Sequence, residues 1–162
     1  MSENFIGVGM ETKALIKFFT ESHFIPELKS NNQSDILEEL VEPLVDSGRI
    51  KSRDLLLDVL RKRETLGSTG IGKGIAVPHC RSLSAQELFI VVGISKKGVE
   101  YKAVDGKKVQ LFFLIVAPPQ DKSNEYLPVL GKIVELVRDT KIRRAILKST
   151  DFTSFIDSIG GG

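Results

Sequence analysis

Two apolar runs near the middle of the chain, LFIVVGIS at 88–95 and VQLFFLIVAP at 109–118, set the tightest limit on its fold. Both are rich in β-branched and aromatic residues, and neither alternates cleanly with polar ones. That is the pattern of strands buried on both faces. VDGK lies between them, and its Asp105-Gly106 pair is a strong turn signal. GIAVP, at 74–78, is a third and shorter run of the same kind.

Strands buried on both faces need helices to cover them, and the flanking sequence supplies these. TKALIKFF (12–19) reads as a short amphipathic helix. HFIPEL (23–28) is partly β-like, but Pro26 demotes it to an edge strand or an extended piece. SDILEELVEPLVDSG (34–48) carries a helical stripe from Ile36 to Val45 that Gly48 terminates; Pro43 is expected to kink or break it. SRDLLLDVLRKRE (52–64) begins at Ser52 as N-cap. After the strands, SNEYLPVLGKIVELVRD (123–139) predicts a long helix, provided Pro128 falls in its first turn. KIRRAILKS and DFTSFIDSI predict two closing helices, the second capped by Asp151. Helices, then strands, then helices predict an α/β fold, a single-domain sandwich with a mixed β-sheet flanked by helices on both faces. Residues 1–10 mix Gly, Ser and Asn and are expected to be a flexible N-terminus, with 11–162 as the folded domain.

Charge narrows the function classes. A net charge of +2, from 23 basic and 21 acidic residues, gives no general reason to expect nucleic acid or a membrane surface. The longest apolar run is too short to span a bilayer, and the N-terminus lacks a basic segment followed by an apolar one. The one cysteine, Cys80, excludes an intramolecular disulfide and fits a reducing compartment, so a cytoplasmic protein is expected. Two histidines, His23 and His79, and one cysteine form no close-spaced ligand set for a structural zinc, while an oxygen-ligated ion stays open.

The chemistry concentrates in GSTGIGKGIAVPHC, residues 67–80. Its glycines nearly satisfy the phosphate-loop pattern, with Gly72 and Lys73 in register. Gly74, however, stands where a magnesium-binding hydroxyl is required. The context is also inverted, because a phosphate loop follows a strand and opens a helix. Both facts argue against a nucleotide site; the plain reading is a flexible turn between helix and strand. Ser68 and Thr69 are expected to order that turn through local hydrogen bonds. His79 follows Pro78, which lacks a ladder donor, so the chain is expected to leave the sheet there. Two readings of His79 stand at this point: a cleft-facing group, or a core or capping histidine bonded to backbone. Cys80 should point to the opposite face and pack as a small core residue rather than pair with the imidazole. One histidine, an upstream arginine and a loop of amides and hydroxyls suit phosphoryl transfer from another protein's phosphohistidine. Neutral imidazole is a good nucleophile near neutrality, and the protein's task is mainly to position the group and neutralise its charge.

RETLGSTGIGKGIAVPHC (63–80) resembles the active-site signature of the EIIA domains of the bacterial phosphoenolpyruvate:sugar phosphotransferase system. The resemblance is to the fructose/mannitol class (type 2), and within it to the nitrogen-regulatory branch. AVDGKKVQLFFLIVAPP resembles the strand pair and turn that follow, and the likeness runs from about Lys13 to Ile159. It implies that His79 is the phosphoryl acceptor, at Nε2, with an HPr/NPr-like phosphocarrier protein as donor. It implies that Arg63 stabilises the phosphate and that Ser68, Thr69, Gly70, Gly72 and Gly74 line a phosphate pocket. Lys73 is a less regular feature. Where the family often has a second histidine, this chain has Tyr126, a possible pocket residue that can donate a hydrogen bond but carries no positive charge. His23 lies far upstream and reads as a surface histidine.

The resemblance implies a phosphotransferase component with a phosphohistidine intermediate, needing no cofactor and no direct membrane insertion. As a standalone domain without EIIB or EIIC parts, it is expected to act as a phosphorylation-dependent regulator of potassium transport or sensor kinase proteins. A standalone fructose-type EIIA passing phosphate to an EIIB subunit is the alternative. A non-catalytic regulatory protein-binding module is an alternative of another class.

Overall fold

The computed structural model describes residues 10–160. The expectation for residues 1–10 therefore falls outside the described residues, except at Met10, which is partly buried against the core. Helix α1 (Thr12–Ile16) is followed by a 3-10 turn (Glu21–His23), strand β1 (Phe24–Ile25), and helices α2 (Gln33–Asp46) and α3 (Arg53–Thr65). Strands β2 (Gly70–Gly72), β3 (Ile75–Ala76), β4 (His79–Arg81), β5 (Phe89–Val99) and β6 (Val109–Ala117) come next. Helices α4 (Tyr126–Arg138), α5 (Thr140–Leu147) and α6 (Phe152–Gly160) close the fold.

All six strands form one mixed sheet. β5 and β6 make its antiparallel centre, with Phe89 opposite Val116 and Ile94 opposite Leu111. β1 runs parallel to β5 at one edge, as the proline-limited HFIPEL segment predicts. β3 and β4 both run parallel to β6, and β2 pairs antiparallel with β3. Two cores follow from the period-2 alternation of side chains. Val91, Leu114 and Val116 face Leu40, Leu44, Leu57 and Leu60 of α2 and α3. Ile90, Phe113 and Ile115 face Val129, Ile133, Ile146 and Phe155 of the C-terminal helices. This is the double burial that the two apolar runs require.

Helix ends follow the sequence signals. The side chains of Asn32, Ser52 and Asp139 accept backbone N–H bonds from Asp35, Leu55, and Lys141 with Ile142. Such caps contribute about 1 kcal/mol each. Asp151 Oδ1 likewise accepts from Ser154 N at 2.8 Å. Past α2, Gly48 N bonds Val45 O at 3.0 Å and Arg49 N bonds Leu44 O at 2.9 Å, the paired bonds of a Schellman ending. Pro128 is the third residue of α4 and sits in its first turn.

Three expectations are corrected. α2 runs through Pro43 without a break. Only three residues follow the proline, and Leu44 among them is packed in the same core as Ile36, Leu37, Leu40 and Val41. Packing therefore holds the last turn in place. Second, the chain does not leave the sheet at Pro78. It pauses there and resumes as β4 beside the same partner strand, with His79 opposite Ile115. The ring lacks a donor, but Pro78 O still accepts from Ile115 N at 2.9 Å, so the sheet loses one bond and keeps its course. Third, His23 is not on the surface: it is 3% exposed, and its Nε2 lies 2.9 Å from Ser47 Oγ. Burial, helped by the charge of Arg49, lowers its pKa.

Candidate functional site

The glycine stretch is a hairpin rather than an open loop. Gly72 pairs with Ile75, which leaves Lys73 and Gly74 as a two-residue connection. Both take positive φ, 58° and 79°, as the tight turn favoured between twisted strands demands. The hairpin packs toward residues 103–105. Asp105 Oδ2 accepts from Lys73 N at 3.1 Å. A Cβ on Gly70 would sit 2.8 Å from both Cα and Cβ of Ala103, so that glycine answers a close backbone approach.

The polar residues of this stretch have local partners. Ser68 Oγ accepts from Gly70 N at 3.0 Å, as the reading of a locally ordered turn predicts. Thr69 is 3% exposed; its backbone N–H donates to Glu64 Oε1 at 3.1 Å and its hydroxyl donates to Glu64 Oε2. Tyr101 donates to the same carboxylate at 2.9 Å. Burial and the charge of Glu64 push the Tyr101 phenol pKa upward. This network ties the end of α3 to the hairpin and to the strand connection beyond β5.

His79 faces elsewhere. It is half-buried at the start of β4, the segment that among the described residues pairs only with β6. Its side chain shares the sheet face of Val77, which packs against the C-terminal helices. Its Nδ1 lies 2.7 Å from Val77 O. A carbonyl can only accept, so Nδ1 carries the proton and Nε2 of the neutral ring keeps its lone pair. Cys80 points to the opposite core and is 6% exposed; burial pushes its thiol pKa up to about 12. The predicted divergence of these neighbours is what the strand produces.

The imidazole borders an open recess of about 640 Å³ between the end of α3 and the start of α4. Arg63 and Lys62 enter it from α3, Arg81 from β4, and Tyr126 and Leu127 from α4. Arg63 Nη1 donates to Gly67 O at 3.0 Å. The Tyr126 ring centre lies 6.2 Å from that of His79, and the guanidinium carbon of Arg81 sits 4.5 Å from the Tyr126 centroid. Burial pushes the Tyr126 phenol pKa up to about 12, so it is a neutral donor at ordinary pH. Among the described residues, none that lines this recess carries a carboxylate. A second recess, about 510 Å³, contrasts with it by including Glu87, Asp121 and Glu125.

Of the residues singled out in the sequence, the structure brings together His79, Arg63 and Tyr126. It does not bring Ser68, Thr69, Gly70, Gly72 or Gly74 to this recess, whose lining includes none of them. The expected glycine-lined pocket is thus replaced by a cation-lined one, because the hairpin is committed to Ala103 and Asp105. Sequence reasoning missed Arg81 and the apolar rim of Leu66 and Leu127. The signal for Arg81 was its spacing, two residues past His79 in extended chain and so on the same face.

Comparison with known proteins points the same way. Residues 17–160 match the sequence model for the "Phosphoenolpyruvate-dependent sugar phosphotransferase system, EIIA 2". A "PTS system fructose-specific EIIABC component" from Bacillus subtilis is 32% identical over 132 residues, 82% of this chain. The aligned stretch makes up 21% of that much longer protein. A "Nitrogen regulatory protein" from Bradyrhizobium diazoefficiens is 30% identical, over 78% of this chain and 82% of its own length. Among solved structures, the nitrogen regulatory protein IIA-Ntr from Neisseria meningitidis superposes with a TM-score of 0.80 at 25% identity, covering 88% of this chain and 97% of that one.

Proposed function

Because the chain belongs to the EIIA 2 family of the phosphoenolpyruvate-dependent sugar phosphotransferase system, we propose that it takes up a phosphoryl group on His79 Nε2 from an HPr/NPr-like phosphocarrier protein. Residues 11–162 form the transferring domain in this reading, which works in the cytoplasm. The observation that carries it is the 2.7 Å bond from Nδ1 to Val77 O. That bond fixes the tautomer and leaves a nucleophilic nitrogen at a recess bordered by cations and no carboxylate. In the transfer, the Nε2 lone pair forms the new N–P bond as the donor's N–P bond breaks, and the donor ring departs with the electron pair. His79 keeps its Nδ1 proton throughout. Arg63 offers its guanidinium to the phosphoryl oxygens. The metaphosphate-like group needs little more than such positioning and neutralisation.

The recess is open, and Leu66 and Leu127 at its rim are 84% and 68% exposed. Apolar side chains around an accessible imidazole suit a protein that brings its own phosphohistidine to the surface. Once formed, phospho-His79 adds about 1.5 to 2 negative charges there, enough to reverse which partners fit. That supports a regulatory role like the one named for the Bradyrhizobium relative. A second reading, passage of phosphate to an EIIB subunit, is supported by the fructose-specific relative.

Incubation with phosphoenolpyruvate, enzyme I and an HPr-type carrier tests the acceptor. The expected result is one acid-labile phosphate per chain, reduced to background in His79→Ala. Pull-downs with unmodified and phosphorylated protein test the switch, and different partner sets are expected. Sugar-dependent transfer onward to an EIIB protein would favour the second reading.

A further inference from the structure

We propose that Arg81 is a second catalytic cation, touching the phosphoryl oxygens alongside Arg63, and that Tyr126 is the residue that positions it. The inference rests on the reading of His79 as acceptor and extends it to two residues which that reading leaves without a role.

Geometry brings Arg81 to the recess that the imidazole borders. β4 is extended, so His79 and Arg81 project from the same face with backbones about 6.5–7 Å apart. Both border the same recess. Two contacts restrain the Arg81 side chain. Its guanidinium carbon lies 4.5 Å from the centre of the Tyr126 ring, within reach of a cation–π interaction. Its Nη1 donates to Pro118 O at 3.3 Å. Tyr126 is 7% exposed, the first residue of α4, and its backbone N–H is bound to Asp121 Oδ2 at 2.7 Å. The ring is therefore a fixed platform beside the imidazole.

The charge pattern gives the fork its target. Arg53 and Arg61 on α3 are engaged by Glu38 and Glu42, and Lys62 by Asp58. Among the described residues Arg81 and Arg63 pair with no carboxylate, and each makes its one hydrogen bond to a backbone carbonyl, leaving further N–H groups to donate. Two such forks beside one imidazole, in a recess lined by no acidic residue, fit the several oxygens of a phosphoryl group. As the His79 Nε2–P bond forms and the donor N–P bond breaks, negative charge spreads over those oxygens. Arg81 would then lower the barrier without exchanging a proton.

The test measures transfer from a phosphorylated HPr-type carrier to the intact chain by rapid quench, and docking of the unphosphorylated carrier by calorimetry. Arg81→Gln is expected to slow transfer at saturating carrier by about tenfold to a hundredfold. Docking affinity should stay within about twofold. Tyr126→Leu should slow transfer by about tenfold, and Tyr126→Phe, which keeps the ring face, should recover most of that loss. Adding Tyr126→Leu to Arg81→Gln should cost nothing further, because the ring acts through the guanidinium. Circular dichroism confirms that each variant is folded. An unchanged transfer rate in Arg81→Gln overturns the proposal, as does additivity of the two substitutions or a loss confined to docking. Failure of the unaltered chain to take any phosphate would instead overturn the reading of His79.

Discussion

The two ends of one sequence motif do different work. Residues 67–76 form a hairpin whose groups are spent inward: Thr69 on Glu64, Gly70 against Ala103, the Lys73 amide on Asp105. Residues 77–81 lie at the edge of the sheet, where Val77, Pro78 and Cys80 are buried and His79 and Arg81 turn toward a recess lined from α3 and α4. A continuous signature need not be a continuous site. In this chain the glycines fix where the strand begins, and the residues after them border the recess.

Substitutions can break or sharpen that division. The largest effect after loss of His79 itself is expected from Arg63→Gln. Transfer to His79 should slow by about tenfold to a hundredfold, less than for an enclosed oxyanion site because the recess is open. Thermal stability should be nearly unchanged, since Arg63 makes one hydrogen bond, to Gly67 O. Gly70→Val should show the reverse. Its Cβ meets Ala103 at 2.8 Å, and the overpacking should cost about 1–3 kcal/mol, read as a lower melting temperature. Transfer per folded molecule should hold. A collapse of transfer with the melting temperature unmoved would show that the hairpin shapes the recess after all.

The smallest expected effect concerns the other face of β4. Burial raises the Cys80 thiol from its ordinary 9.0 to about 12. Below pH 9 the thiol is protonated in the folded and unfolded chains alike and adds nothing to pH dependence. Above it the unfolded chain gives up the proton while the native one retains it, so stability falls as pH rises toward 12. Denaturant titrations between pH 8 and 10 should show that decline, and Cys80→Ala should lessen it, whereas above pH 10 the raised Tyr101 and Tyr126 phenols add a fall of the same sign. At pH 8 the native thiol should resist alkylation until the chain is unfolded.

Much of this was legible in the sequence, for identifiable reasons. The runs around Val91 and Leu114 could be buried only between two helical layers. Ser52, Asp151 and Gly48 mark helix ends through bonds made within a few residues. The divergence of His79 and Cys80 follows from strand geometry alone. What could not be read depends on distant neighbours. The need for glycine at position 70 is set by Ala103, and the burial of His23 involves Ser47. Arg81 looks like any exposed arginine until α4 brings Tyr126 beneath it. At Pro78 the missing donor is visible in the sequence, whereas the bond its carbonyl keeps with Ile115 N depends on the distant strand β6.

The alternation along β4 also makes this site intolerant of length change. His79 and Cys80 are adjacent, yet one is half-exposed and the other packs into the core beneath α2 and α3. Inserting a single residue between Pro78 and His79, with the sheet pairing kept, would turn the sulfur outward and bury the imidazole. Drift by substitution can adjust the rim of the recess, whereas a frame slip of one position would leave a thiol, in place of the imidazole, on the outward face.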